Sequence, residues 1–153
     1  SRSSKHGAWI MGQQQLTADH GDASRGLSVF ASLTVHDKAT SSIESFQNIG
    51  AVYKGPFDAR PKDDIGLGVA RLKVNDDVTK RQRLINDSTG ITDYDNPLYV
   101  PVQHSEYNIE LNYGVHVTDW LTVRPNVQYV RNPGGVYEVD NAWVAGLKLQ
   151  ASF

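Results

Sequence analysis

Alternation of apolar and polar residues is the feature that most constrains what this chain can fold into. From Glu106 to His116 the odd positions carry Tyr, Ile, Leu, Tyr and Val, while the even positions carry Glu, Asn, Glu, Asn, Gly and His. Successive side chains of a β-strand point to opposite faces, so this segment has one apolar face and one polar face. A helix would spread both classes around its circumference. The pattern therefore predicts a strand.

The same period recurs along the chain and predicts an all-β fold with seven strands. These strands are expected at residues 6–16, 27–36, 46–54, 65–74, 106–116, 121–130 and 142–153. Arg71 and Lys73 break the apolar face of the fourth strand. The longest link, residues 75–103, interrupts the regular array and is a candidate functional loop, in which residues 77–85 are compatible with a short helix.

The fifth and sixth strands are predicted to form a hairpin. Apolar residues face apolar residues only if the index sum of paired residues is even. A sum of 238 pairs Leu111 with Val127 and Glu110 with Gln128, and a sum of 236 also fits; either leaves a tight turn of about three residues. Pro125 donates no backbone hydrogen bond, so we expect a weak point or bulge there.

Composition excludes several classes of protein. The 153 residues fit one domain, and the net charge of -2 argues against a nucleic-acid binder, which carries a clustered basic surface. Without cysteine the chain has no disulfide, thiolate zinc site or cysteine nucleophile. No apolar run is long enough for a transmembrane helix, but a transmembrane β-barrel hides its apolar band in alternate residues. Ser1 is expected to be a processed end or an internal point of a longer protein.

Two constructions share this periodicity. In a soluble sandwich the apolar face is the core, whereas in an outer-membrane barrel it meets lipid. Three features favour the membrane barrel: a polar face rich in Glu, Asn, Arg, Gln and Lys, strands of about ten residues, and aromatic residues near the strand ends. These aromatic residues are Tyr53, Tyr107, Trp120, Tyr129, Trp143 and Phe153.

Four segments resemble the carbohydrate-selective porins of the OprB type. They read SRGLSVFASL from Ser24, IGAVYKGPFDARPKDDIGLGVA from Ile49, EYNIELNYGVHVTDWLTVRPNVQYVRNPGG from Glu106, and AWVAGLKLQASF at the end. The runs at 55–68 and 124–130 are the most specific. The alternating last strand that ends in Phe153 is common to outer-membrane barrels and supports the class rather than the family.

The resemblance implies that residues 1–153 are a single C-terminal portion of a sixteen-stranded transmembrane antiparallel β-barrel in the bacterial outer membrane. It implies passive diffusion of monosaccharides such as glucose, with no enzymatic activity and no cofactor. The implied partners are the remaining N-terminal strands of the barrel, outer-membrane lipid and lipopolysaccharide, and the barrel-insertion machinery, which reads the strand ending in Phe153. No nucleic acid is implied.

Orientation follows from the same resemblance, because the class places the terminal Phe153 in the periplasm. Counting back, the links at 17–25, 55–64 and 117–120 are expected in the periplasm. The links at 37–45, 75–103 and 131–141 are then extracellular. Membrane barrels have short periplasmic turns and longer surface loops, so the extracellular position of the 29-residue insert at 75–103 agrees with the class, whereas the link at 55–64 is somewhat long for a periplasmic turn.

Candidate pore-lining residues are the polar residues on the predicted lumen face. Arg presents five donors and Glu accepts from sugar hydroxyls, and opposed charges across a constriction discourage ions. Arg124 and Glu110 lie mid-strand and are the strongest candidates. The set is Arg124, Glu110, Asn112, Asn126, Gln128, Lys148, Gln150 and Glu106. The alternative is that these residues only solvate the wall or pair among themselves.

No other chemistry is indicated by the residues. The five histidines lack metal-ligand spacing, and the pairs Asp63–Asp64 and Asp76–Asp77 are expected in exposed turns rather than in a calcium site. A soluble β-sandwich that binds carbohydrate is the competing hypothesis. An eight-stranded structural barrel needs an even strand count, whereas the pattern gives seven.

Overall fold

The computed structural model describes residues 5–153 and contains one antiparallel sheet. Its strands are β1 Gly7–Gln15, β2 Gly26–His36, β3 Ile43–Lys54, β4 Asp64–Val74, β5 Ser105–Thr118, β6 Leu121–Arg131 and β7 Ala142–Ala151. Each strand pairs with its neighbours in the chain, in the order β1 to β7. The predicted seven-stranded antiparallel architecture is confirmed.

The pairing keeps the alternation in register from strand to strand. Leu67 pairs with Leu111, Leu111 with Val127, and Val127 with Ala145. We call the side of the sheet that carries these residues the apolar face. The opposite side, which carries Asp64, Asn112, Arg124 and Lys148, is the polar face.

The apolar face is not a core. Leu67 is 52% exposed, Leu111 51% and Leu147 66%. Within residues 5–153 there is no second sheet to cover them. The buried apolar side chains of this part of the chain are only Val74, Val102 and Val136, all at one end of the strands. A large exposed apolar surface of this kind is what a lipid-facing wall requires, and a soluble sandwich would have buried it.

The β5–β6 hairpin has the first of the two registers predicted for it. Leu111 pairs with Val127 and Glu110 with Gln128, the index sum of 238. Pairing lapses opposite Pro125, which is aligned only with Leu147 of β7. A second irregularity lies between His116 and Thr118, and Thr118 pairs with Leu121. The turn is therefore residues 119–120, one residue shorter than expected.

Helix α1, Asp76–Thr89, lies in the long link between β4 and β5 and is longer than the helix predicted at 77–85. Asn75 caps its N-terminus by accepting a hydrogen bond from the backbone N–H of Asp77, and Gly90 ends it with a φ of 68°. The Asn86 side chain bonds both backbone groups of Val100, at 2.8 and 2.9 Å. These bonds fold the link back on itself. No helix in residues 5–153 is long and apolar enough to cross a membrane.

Candidate functional site

All eight predicted pore-lining residues project from the polar face of β5, β6 and β7. The strands bring Glu110 opposite Gln128, Asn112 opposite Asn126, and Arg124 opposite Lys148. One face therefore holds a continuous field of hydrogen-bonding groups.

Arg124 is the centre of this field and lies flat along the sheet. Its Nη1 donates to Asp64 Oδ1 at 2.5 Å and to Asn112 Oδ1 at 2.8 Å, and its Nη2 donates to Asp64 Oδ2 at 3.1 Å. Between Arg124 and Asp64 stands Gly114 of β5, where a Cβ would lie 2.7 Å from Nη2. The absence of a side chain at this position lets the guanidinium reach a carboxylate two strands away.

Gln128 links a second group of polar residues next to Arg124. Its Nε2 donates to Glu110 Oε1 at 3.2 Å and to Asn126 Oδ1 at 3.4 Å. Its Oε1 accepts from Asn108 Nδ2 at 3.0 Å. In this ladder Gln128 donates through Nε2 and accepts through Oε1, so its amide links Asn108, Glu110 and Asn126. It leaves the second oxygen of Glu110 without a protein donor among the hydrogen bonds of the described residues.

A concavity of about 430 Å³ adjoins the ladder on the polar face. Glu106, Glu110 and Gln128 line one side, and the rings of Phe30 and Phe46 line the other. The Phe30 ring lies over Gly50, where a Cβ would collide with it. The polar face therefore combines planar hydrogen-bonding groups with an aromatic surface.

Three of the predicted residues stay outside the hydrogen-bonded network. Lys148 lies across from Arg124 on the edge strand and has no ion pair within residues 5–153. Gln150 lies beside Thr122. Glu106 borders the concavity without joining the ladder. They are solvated groups of the polar face in this structure.

Sequence reasoning missed four residues of this region. Asn108, Phe30 and Phe46 share the parity of the polar face in their strands, so the alternation already contained the signal. Asp64 was placed in an exposed turn together with Asp63, and that expectation is wrong. Asp64 begins β4 and pairs with Arg124, and only the register of three strands across Gly114 reveals the contact.

Asp63 is buried at the base of the same strands, with 1% of its surface exposed. Its carboxylate accepts from Arg60 Nε, from the Tyr113 hydroxyl at 2.8 Å and from the His116 backbone N–H at 2.9 Å. Burial raises the pKa of Asp63, but the bonds from Arg60, His116 and Tyr113 outweigh burial and hold the pKa below its ordinary value. Asp63 therefore fixes the turn that positions Asp64.

One group in the described part of the chain could bring metal-ligating atoms together. Ligand atoms of Asp19, His20 and Asp58 lie within 4.8 Å of one another. Arg25 Nη2 already lies 3.2 Å from Asp19 and 3.0 Å from Asp58. The cation between these carboxylates is thus a guanidinium, and the cluster serves to join two neighbouring turns.

Comparisons with known proteins place the chain in a family. A family model described as carbohydrate-selective porin, OprB family, matches residues 1–153. Porin B of Pseudomonas aeruginosa is 71% identical over 153 residues, which are 100% of this chain and 34% of that protein. The putative porin QuiX of Acinetobacter baylyi is 49% identical over 152 residues, which cover 98% of this chain and 35% of that protein.

Solved structures agree with the sequence relatives. The high-pH structure of Pseudomonas putida OprB matches with a TM-score of 0.96 and 66% identity, over 99% of this chain and 36% of that one. The low-pH structure of Pseudomonas putida OprB matches with a TM-score of 0.70 and 49% identity, over 98% of this chain and 37% of that one. The chain spans about a third of the length of the curated relatives it matches. It belongs to the OprB family of carbohydrate-selective porins, and its seven strands have the fold of an outer-membrane β-barrel.

Proposed function

We propose that this chain forms part of the wall of a pore through which monosaccharides such as glucose diffuse passively across the bacterial outer membrane. The polar face is the lumen wall in this proposal, and the apolar face meets lipid. The observation that carries it is the Arg124–Asp64 pair, which continues through Asn112 into the polar face beside an aromatic surface.

The chemistry of the polar face suits a neutral polyol. Arg124 has five N–H donors, and its bonds to Asp64 and Asn112 leave Nε free to donate to a hydroxyl. Glu110 offers acceptor capacity, and the rings of Phe30 and Phe46 offer an apolar surface to the sugar ring. Cations and anions are interspersed on this face, so a dipolar solute gains contacts while an ion of either sign meets a like charge.

The orientation of the sheet is inferred from its longest link, residues 75–104, and its shortest, residues 119–120. At one end of the strands the links are residues 37–42, 75–104 and 132–141, and at the other end they are 16–25, 55–63 and 119–120. Membrane barrels carry their longer loops outside the cell. We therefore propose that the link holding helix α1 is extracellular and that the two-residue turn at 119–120 is periplasmic.

Closure of the wall requires more strands than this sheet has. Within residues 5–153 the outer edges of β1 and β7 have no partner strand. Unpaired backbone groups do not persist in the hydrocarbon region, so we propose that further strands of the same barrel pair with both edges. A total of sixteen strands, and recognition of the strand ending in Phe153 by the insertion machinery, remain what the family resemblance implies.

Permeation through liposomes tests the proposed function. The full-length porin is reconstituted, and swelling rates are compared for glucose and for a disaccharide. Arg124→Ala removes the guanidinium, so we expect the preference for glucose to fall by roughly fivefold, within the range of one lost net hydrogen bond.

Two variants control that measurement. Arg83→Ala removes the same group from helix α1 and should leave both rates unchanged, whereas Arg124→Lys keeps the charge without the planar fork and should fall between wild type and Arg124→Ala. Unchanged glucose flux and unchanged selectivity in Arg124→Ala would remove Arg124 from the site. A wild-type pore that passes both sugars equally would contradict the proposed selectivity.

A further inference from the structure

Two arginines lie on the apolar face at positions where the alternation calls for hydrophobic residues. Arg71 of β4 pairs with Tyr107 of β5, and Tyr107 pairs with Arg131 of β6. The two arginines are therefore one strand to either side of Tyr107. Two strand spacings put their Cα atoms about 10 Å apart. Both side chains leave the sheet on the side that faces lipid in the proposed function.

Along the strands, the two arginines lie at one border of the apolar face. The adjacent outward row, two residues along each strand, contains Val69, Ile109 and Tyr129. Tyr129 packs on Trp143, with ring centroids 4.9 Å apart. An aromatic pair at the border of an apolar band marks the membrane interface in barrels. Arg71 and Arg131 lie just beyond it, on the side of the long links.

Neither arginine has a carboxylate partner within residues 5–153. Arg71 donates from Nη2 to the Ser105 hydroxyl at 3.3 Å, and its guanidinium lies 5.8 Å from the centroid of the Tyr107 ring. Its Nε is buried without a hydrogen-bond acceptor. Arg131 is exposed. By contrast, Lys73 is the next outward-facing residue of β4, and it forms ion pairs with Glu44 at 2.9 Å and with Asp76 at 3.7 Å.

We infer that Arg71 and Arg131 form a site for the phosphate groups of a glycolipid in the outer leaflet of the membrane. Guanidinium groups bind phosphate oxygens in bidentate geometry, and the Ser105 hydroxyl and the Tyr107 ring hold Arg71 in place for such a contact. A lipid rather than a free phosphate is the occupant, because both arginines project from the lipid-facing side next to the aromatic border. The inference rests on the orientation in the proposed function.

Binding of a phosphorylated lipid to the full-length porin tests the inference. The porin in neutral detergent is titrated with bisphosphorylated lipid A, with the same lipid after dephosphorylation, and with inorganic phosphate. The double variant Arg71→Gln/Arg131→Gln should bind the bisphosphorylated lipid about tenfold more weakly than wild type, the effect of losing one net hydrogen bond of the charge-assisted kind. Wild type should prefer the phosphorylated lipid, and inorganic phosphate should not compete.

A matched control makes the same charge change on helix α1. Arg81→Gln/Arg83→Gln on helix α1 removes two cations outside the apolar face and should bind the lipid like wild type. Because Arg71 has contacts within the fold, Arg131→Gln alone is measured as well, and it should weaken binding by several-fold. Equal affinity in wild type and in the Arg71→Gln/Arg131→Gln variant, with heat-modifiable migration showing that both are folded, would overturn the inference. An equal loss in the α1 control would overturn it too.

Failure of the inference is distinguishable from failure of the proposed function. A porin that conducts glucose selectively but binds lipid equally with and without the two arginines contradicts the lipid site alone. A porin that loses lipid binding in the double variant but does not select for glucose supports the site and contradicts the proposed selectivity.

Discussion

The side chains on the two faces of the sheet make their contacts in different ways. On the polar face, long side chains lie along the sheet and bond to one another, as Arg124 does with Asp64 and Asn112. This crowding depends on glycine: a Cβ at Gly66 would lie 3.0 Å from the Asn112 amide, and one at Gly146 would lie 3.0 Å from Asn126. On the apolar face, residues such as Leu111 and Leu147 extend outward and remain half exposed or more.

This difference shows that residues on the two faces are under different constraints. A residue of the apolar face needs only to be hydrophobic, because its neighbour is a fluid solvent of lipid tails. A residue of the polar face needs a particular partner at a particular distance, and small residues beside it. The effect of a substitution should therefore depend first on the face that carries it and then on the chemistry of the new side chain.

The largest effect is expected from putting a cation in the middle of the apolar face. Leu111→Arg exchanges a lipid-facing leucine, flanked by Leu67 and Val127, for a charge. Arginine on the lipid face of a barrel costs about 2–4 kcal/mol near the bilayer midplane. We expect the free energy of unfolding in liposomes to fall by that amount, measured by urea titration of tryptophan fluorescence.

The matched control introduces the same residue on the other face. Asn108→Arg lies on the polar face of the same strand, within reach of the carboxylates that line the concavity. We expect it to fold with little change in stability and to alter permeation instead. Equal destabilisation by both substitutions would contradict the assignment of the faces.

A smaller and pH-dependent effect is expected at Asp63, a buried carboxylate that accepts a hydrogen bond from Tyr113 of the apolar face. Asp63→Asn loses the charge that Arg60 and Tyr113 bind, so we expect a loss of roughly 1.5–3 kcal/mol at neutral pH. The folded-state pKa of Asp63 is below its ordinary value. Its stabilisation is therefore complete above the unfolded-state pKa of about 4 and is lost as the pH falls through the folded-state value.

The direction of this pH dependence is tested by measuring unfolding free energies across a range of pH. The difference in unfolding free energy between wild type and Asp63→Asn should be constant from neutral pH down to about 5, and should shrink below about 4. Asp119→Asn is the control, because Asp119 is 90% exposed in its pair with Lys62 and should show no comparable difference. A difference that grows on acidification would contradict the carboxylate network.

Much of the sheet could be predicted from sequence because alternation is a local property. The strand positions and the two faces follow from the period of two, which also restricts the β5–β6 hairpin to an even index sum but leaves 238 and 236 both open. The eight candidate residues share the polar face for the same reason. Their role in the pore stays a prediction.

The remaining features depend on contacts that the local pattern does not contain. Asp64 finds Arg124 across 60 positions of sequence, and only because Gly114 leaves the space between them. The extent of helix α1 is set by the Asn75 cap, by Gly90 and by the bonds of Asn86 to a later segment. Asp63 looked like half of an exposed acidic pair, and its burial depends on Tyr113 and His116 of another strand.

The central claim, that the polar face lines a sugar-conducting lumen, is tested most directly by cysteine accessibility along β5. The chain has no cysteine, so single substitutions can be read against a silent background over these residues. Asn108→Cys, Glu110→Cys and Asn112→Cys should react quickly with a membrane-impermeant thiol reagent, and excess glucose should slow each reaction. Ile109→Cys and Leu111→Cys should resist that reagent in liposomes. Alternating reactivity with glucose protection at the even positions is the predicted result, whereas reactivity at the odd positions, or even positions that glucose does not protect, would contradict the claim.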